Sequence, residues 1–439
     1  MSKLSFDRDH NVINGALEGA EKQYHSINPF TEEKLWDAPV ASAQDLDEVV
    51  EAANVAFQTW QHSTLDDRRS RMKQFASELF FKNSDWTDII SETGQPKELA
   101  EREVESACEW LTGIASIDIP EYTTYEDDNV KVTTKYFPLG VVGAIVSWNF
   151  PIFLVLGKVA SSLICGNTVI VKPSPYTPYS IPKVTELAQS FFPPGVVEAL
   201  GGDENLGPWM TKHPGIAKIS FTGSAATGKR VMEAAASTLK RVTLELSGGN
   251  DAAIICADVD IDDVAQRVME DVKCASQRKE SLCTVPKPGT GYLSPVQNKI
   301  QFDKVRSIFE DCRAQNYKFA IGGEQDLSQT KPGFQMSPAV VVRPPDESRL
   351  VQEEPFGPID DEENVIHRAN NTDQGLGATL WYRDPAMAER ISMRLDAGSV
   401  WVNRGAFPLP TALFGGCADI SFCEAVEVST QKSNWKLYL

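Results

Sequence analysis

Several strand-end motifs carry residue types that catalysis or ligand binding needs. Asn149 follows the β-branched run VVGAIV in Trp148-Asn149-Phe150-Pro151. An amide at a strand's carboxyl end can donate to a developing oxyanion, or it can simply cap the next helix. Lys172 ends the run TVIVK ahead of Pro173-Ser174-Pro175. Its ammonium could bond ribose hydroxyls or phosphate, although a strand-end lysine is ordinarily just solvated. Phe221-Thr222-Gly223-Ser224 follows AKISF and opens a helical stretch. A glycine there lets backbone approach a ligand, and the helix start offers N–H groups to phosphate, yet many such junctions need glycine only to turn. Gly223 to Lys229 also imitates a phosphate loop, but Arg230 stands where Mg²⁺ coordination needs Ser or Thr, which argues against a nucleoside triphosphate. Glu245 closes RVTLEL just before Ser247-Gly248-Gly249. A carboxylate leaving a buried strand is expected to be partly desolvated, with its pKa raised toward that of a useful general base; otherwise it is a surface glutamate.

The elements that must position these groups are legible in the hydrophobic pattern. Val49, Ala53, Phe57 and Trp60 recur at helical spacing after Ser42, a suitable N-cap. Thr64 with Asp67 opens a second helix, whose inward face includes Met72, Phe75 and Leu79. Residues 129–136 alternate instead, with Val130, Val132, Thr134 and Tyr136 on one side, which predicts a half-exposed strand of a hairpin. From 140 onward short continuous apolar runs (VVGAIV, TVIVK, GVVEAL, AKISF, RVTLEL) take turns with helix-length segments over 153–165, 179–191, 203–212 and 225–239. Strands without alternation, separated by helices, indicate a parallel sheet covered on both faces. In such a doubly wound fold the ligand sits at the carboxyl ends of the strands, where these motifs fall. AAIIC and a helix over 261–272 lead into a more interrupted second half.

Composition narrows the function classes. With 61 acidic against 42 basic residues the formal charge is −19, which repels phosphate backbones and anionic lipid, so neither nucleic acid nor a membrane is an expected partner. The amino terminus is polar, and Lys158 interrupts the longest apolar stretch. Eight scattered cysteines without a C-x-x-C pair suit reduced thiols in a cytoplasmic setting, and the five histidines never take metal-ligand spacing, so no metal is expected.

SWNFP, VKPSP, FTGS and LELSGG end successive strands in this order, and EEPFGPI follows at 353–359. From about residue 26 to the carboxyl terminus the chain resembles the NAD(P)-dependent aldehyde dehydrogenase superfamily. The resemblance implies oxidation of an aldehyde to a carboxylic acid with NAD or NADP, through a cysteine thiohemiacetal and thioester. It makes Asn149 the oxyanion donor and Glu245 the general base. Trp148, Lys172, Phe221, Gly223 and Ser224 become cofactor-contacting positions, with Glu354 and Phe356. It also implies a fold class: an α/β protein with a doubly wound, parallel-sheet cofactor domain (1–120 and 140–244), a second α/β catalytic domain (245–424), and β elements for oligomerisation (121–139 and 425–439), which imply a homodimer or homotetramer.

The chain departs from the family pattern in places. Pro175 stands where many members hold the adenosine ribose with a glutamate, so the choice between NAD and NADP stays open. The F-x-N-S-G-Q-x-C run around the nucleophile is missing. Cys274, with Arg278 and Lys279 downstream, is favoured as the positional equivalent, although it falls short of the usual spacing from Glu245. Cys283 falls beyond that spacing and has a poorer flank. A strand after FGPI is omitted, and FGGCADISFCEA replaces the usual glycine-rich run. An alternative reading is therefore a catalytically inactive member that binds cofactor or pairs with another subunit. A third is a transcript whose translation across 265–295 is wrong. The substrate aldehyde is not legible.

Overall fold

The computed structural model describes residues 10–82, 91–246, 252–256, 258–260, 262–265, 267, 295–323, 333–336, 339–345, 347–352, 366, 369–370, 375–405, 409–410 and 421–422. Its centre is a parallel sheet of β7 (Val141–Ile145), β8 (Thr168–Lys172), β9 (Val197–Ala199), β10 (Lys218–Gly223) and β11 (Arg241–Leu246). Strand order is β11-β10-β7-β8-β9. Beyond β9 lie β1 (Asn11–Ile13) and β2 (Ala16–Glu18), both antiparallel to their neighbours, and β17 (Ser421–Phe422) runs antiparallel along the β11 edge. The chain builds β7, β8 and β9 outward in one direction and then returns to place β10 on the other side of β7. This reversal opens a crevice at the carboxyl ends of β7 and β10.

Every residue of β7 and β8 is buried, because helices cover both faces. The helices are α1 (Ala43–Trp60), α2 (Leu65–Phe81), α3 (Lys97–Ile114), α4 (Pro151–Ile164), α5 (Ser180–Ala188), α6 (Leu206–Lys212) and α7 (Ala225–Ala236). Alternate strand residues point to opposite faces. Val142, Ala144, Val169 and Val171 pack toward α2, α3, α4 and α5, in one core with Met72, Phe75, Leu111, Leu156 and Ile181. Val141, Ile145, Ile170 and Ile219 pack toward α1, α6 and α7, in a second core with Leu46, Val49, Met210 and Val231. Burying each of these larger side chains contributes roughly 1.5–3 kcal/mol relative to leaving it exposed.

The expected helix starts are present. Ser42 and Asp45 form a reciprocal capping box on α1, and the Thr64 side chain accepts from the Asp67 N–H on α2. The hairpin is present too: β5 (Tyr122–Glu126) pairs antiparallel with β6 (Lys131–Thr134). A second hairpin joins β3 (Gln23–Ile27) to β4 (Lys34–Pro39).

Past β11 a further parallel sheet has the order β12 (Ala252–Ile255), β15 (Gly377–Trp381), β16 (Ser399–Val402), packed around Ile254, Leu380 and Ile391. Between them in sequence come α8 (Lys299–Ala314), the antiparallel pair β13 (Phe319–Ile321) and β14 (Val340–Val341), and α9 (Arg349–Gln352); α10 (Pro385–Ser392) follows β15. Among the described residues no helix is long and apolar enough to cross a membrane.

Candidate active site

The turn at 146–150 leaves the end of β7 and enters α4 at Pro151, in the first helical turn, where a missing N–H costs nothing. Asn149 does not cap that helix: the N-cap position is Phe150, with no side-chain cap bond. The free N–H groups of Ile152 and Phe153 instead donate to Glu103 Oε1 on α3, at 2.8 and 3.1 Å. The capping explanation of Asn149 is thereby removed. Its side-chain oxygen accepts from Ser147 Oγ at 2.7 Å, which fixes the edge of the amide that carries the NH₂ group. Its carbonyl accepts from Gln95 Nε2 at 2.7 Å, and the same nitrogen donates to Glu103 Oε2 at 3.1 Å. Burial pushes the Glu103 carboxyl up to about 7, against the opposing pull of hydrogen bonds from Phe153, Gln95 and Ile152.

Glu245 stands on β11 directly beside Thr222 of β10 in the parallel register. Thr222 Oγ1 donates to its Oε2 at 2.6 Å, and Lys158 Nζ reaches the same oxygen at 3.0 Å. Lys158 lies two turns into α4, so the helix that begins beside Asn149 also carries the cation that meets Glu245. The raised pKa expected from a desolvated strand end is corrected here. Burial does push this carboxyl up, but the Lys158 charge and the hydrogen bonds from Thr222 and Lys158 outweigh it and hold the group below its ordinary value.

Lys172 ends β8 and is buried rather than solvated, with its ammonium donating to the Pro173 carbonyl at 3.1 Å. Burial lowers its pKa to about 8, with the Asp203 charge acting the other way. A buried ammonium whose described hydrogen bond is to its own neighbour's carbonyl has donors to spare for the hydroxyls of a ribose. Ser224 caps α7 by accepting from the Thr227 N–H, which leaves an exposed helix start beside the crevice. Phe221 is buried in the core among the α1-side residues, and a Cβ on Gly223 would come within 2.5 Å of its ring. Its side chain therefore shapes the turn, and any ligand contact from position 221 falls to its backbone. Trp148 is half-buried in the same turn as Asn149. These residues fit a dinucleotide laid across the carboxyl ends of β8, β7 and β10.

Cys274, Cys283, Glu354 and Phe356 lie outside the described residues, as do Ser247, Gly248 and Gly249. The sequence reading missed Lys158, Thr222, Gln95, Glu103 and Ser147 as parts of the site. Two left a signal: Lys158 is a lone charge in an apolar helix and Glu103 a carboxylate on the buried stripe of α3 with Ala100, Val104 and Ala107. A buried charge must find a partner.

The model of the aldehyde dehydrogenase family matches residues 17–278 and 277–426. Aldehyde dehydrogenase LUC3 of a Fusarium species is 36% identical over 442 residues, covering 94% of each chain. Human retinaldehyde dehydrogenase 3 is 32% identical over 442 residues, covering 90% of this chain and 85% of its own. The structure of an aldehyde dehydrogenase from Bacillus cereus in complex with NAD⁺ superposes with a TM-score of 0.87 at 26% identity, over 94% of this chain and 92% of that one. The chain belongs to the aldehyde dehydrogenase family. The doubly wound α/β architecture, the enzyme class of NAD(P)-dependent aldehyde dehydrogenase and the nicotinamide nucleotide expected from its motifs are all borne out.

Proposed function

We propose that this chain oxidises an aldehyde to its carboxylic acid with NAD⁺ or NADP⁺ through a cysteine adduct, with Cys274 as the nucleophile in preference to Cys283. The observation that carries the reading is the arrangement of Asn149 and Glu245 on one structural unit: α4 starts beside the amide, and its Lys158 meets the carboxylate at 3.0 Å.

The Cys274 thiolate adds to the aldehyde carbon, and the carbonyl oxygen becomes an oxyanion that the Asn149 amide stabilises by donating a hydrogen bond. A nicotinamide held by these residues would supply the hydride acceptor that takes the Cys274 adduct to the thioester level. Glu245 then takes a proton from water as its oxygen attacks the thioester carbon; the C–S bond breaks, releasing the acid and restoring the sulfur. Trp148, Lys172, Gly223, Ser224 and the backbone at Phe221 hold the nucleotide in this reading, with Glu354 and Phe356.

The domain assignment follows the same proposal: 1–120 with 140–244 bind nucleotide, 245–424 supply the nucleophile, and 121–139 with 425–439 join subunits of a homodimer or homotetramer. Support for the last comes from the β5–β6 hairpin region, where Tyr125, Val130, Val132, Tyr136 and Phe137 are exposed. Location in the cytoplasm rests on the scattered cysteines. The test is aldehyde-dependent NAD(P)H formation by the wild type, by Cys274→Ala and by the double variant Cys274→Ala/Cys283→Ala. Turnover lost in both variants is expected; turnover that survives the double variant contradicts the covalent route.

A further inference from the structure

Gln95 and Glu103 belong to elements remote in sequence from every motif described above, yet they converge on the Asn149 turn. Gln95 Nε2 donates to two acceptors, the Asn149 carbonyl at 2.7 Å and Glu103 Oε2 at 3.1 Å. Because the Asn149 carbonyl can only accept, the amide nitrogen must face it, which fixes the orientation of the Gln95 amide. Glu103 Oε1 takes the Ile152 and Phe153 N–H groups of the same turn. Both side chains are buried, at 4% exposure each. Among the described residues Gln95 Oε1 has no hydrogen-bond partner. Packing alone would need neither of the two bonds that Gln95 Nε2 donates, so it does not account for glutamine here. Ser147 completes the arrangement from the other side by holding the Asn149 side-chain oxygen at 2.7 Å.

The segment that carries Gln95 is itself fixed to the sheet's carboxyl end. Glu92 in Glu92-Thr93-Gly94-Gln95 accepts from the N–H groups of Tyr179 and Ser180, at 3.0 and 3.1 Å, where α5 begins. Thus one short segment grips the starts of α4 and α5, the helices that follow β7 and β8. Gln95 is held against a rigid reference rather than on a free loop.

We propose that Gln95, Glu103 and Ser147 are positioning residues for the Asn149 amide: Gln95 holds its backbone carbonyl, Glu103 fixes Gln95 and the helix start that follows, and Ser147 sets the orientation of the side chain. This rests on the reading of Asn149 as the oxyanion donor. A hydrogen-bond donor misplaced by about 1 Å stabilises a developing charge far less well. The side chains touch no reacting atom, so their effect must pass through Asn149.

A double-mutant cycle read by kcat tests this. Gln95→Met is close in size and lacks the donor; Ser147→Ala removes a half-buried hydroxyl and leaves the core untouched. Each is combined with Asn149→Ala, and nucleotide affinity is measured in parallel by fluorescence titration. Expected in the wild-type background are a fall in kcat on the order of tenfold for Gln95→Met and about threefold for Ser147→Ala, with nucleotide affinity unchanged. In the Asn149→Ala background neither substitution should reduce kcat further, since the amide they position is gone. The same fold-loss in both backgrounds, or wild-type kcat in both single variants, overturns the proposal. If Gln95→Met does not fold, Ser147→Ala and its cycle decide alone. Wild-type kcat in Asn149→Ala, or an inactive wild type, overturns instead the assignment of Asn149 on which the proposal stands.

Discussion

Lys158 Nζ lies 3.0 Å from Glu245 Oε2, with the lysine side chain 4% exposed and the glutamate 27%. One helix, α4, thereby ties the amide turn at its start to the carboxylate on β11. Burial raises the Glu245 pKa, and the Lys158 charge together with the hydrogen bonds from Thr222 and Lys158 outweighs it and keeps the carboxylate ionised. A general base in this position must be ionised, so the acid side of the kcat–pH profile reports its pKa.

Replacing Lys158 with Met removes the cation and leaves burial as the dominant influence on Glu245. The carboxyl pKa then rises, and the acid limb of the kcat–pH profile moves to higher pH. The depressed pKa of the wild type contributes stability above the unfolded-state value, and that contribution is lost as pH falls through the folded value. Lys158→Met should lack that contribution. An unmoved acid limb would show that Lys158 does not set the charge of the base.

Glu103 gives the opposite sign. Its folded pKa of about 7 lies above the ordinary 4.5, so the folded protein holds the proton more tightly than the unfolded chain. The resulting stability is fully present below the unfolded value and is lost as pH rises through about 7, at on the order of 1 kcal/mol per pH unit within the window. Urea midpoints for the wild type and Glu103→Gln across pH 4.5 to 7 should show the slope shrinking in the variant. Parallel curves would contradict the burial of an ionisable group there.

Gly94 has φ +79°, and a Cβ there would meet Pro29 Cγ at 2.8 Å. Gly94→Ala combines a left-handed backbone penalty of about 1 kcal/mol with that collision, next to Gln95. Denaturation should show a loss of at least about 1 kcal/mol, accompanied by reduced kcat because the segment gripping α4 and α5 shifts. Stability lost without any fall in kcat would separate this segment from the site.

The exposed hairpin offers a test of assembly. Val132→Lys with Phe137→Lys places charge on residues that are 45% and 78% exposed in the single chain. Light scattering should show an oligomer for the wild type and a smaller species for the double variant. An unchanged mass would move the subunit contact elsewhere.

How much was legible in sequence follows from how local each signal is. Continuous apolar runs alternating with helix-length segments revealed β7 to β11, since a strand buried on both faces has no polar side to show. Ser42 and Thr64 marked their helices because caps act within a few residues. Asn149, Lys172 and Glu245 stood out because they end those strands. The partners that set their properties did not. Lys158 reaches Glu245, and Gln95 reaches Asn149, only after the sheet and helices have closed around them, and no spacing rule joins such distant positions. The pKa of Glu245 departs from the expectation for that reason: desolvation is readable from a strand end, but a counter-charge brought by another element is not. Cys274 and Cys283 lie outside the described residues, so their choice rests on the motif comparison.

The most direct test of the whole account is pre-steady-state NAD(P)H formation by Glu245→Gln beside the wild type. If Glu245 serves only the hydrolysis of a thioester, the variant should form NAD(P)H in a burst of at most one equivalent per chain and then stall, with steady turnover down by a factor on the order of 100. The wild type should continue to turn over. Steady turnover by Glu245→Gln at the wild-type rate, or no aldehyde-dependent NAD(P)H from the wild type with either nucleotide, would contradict it.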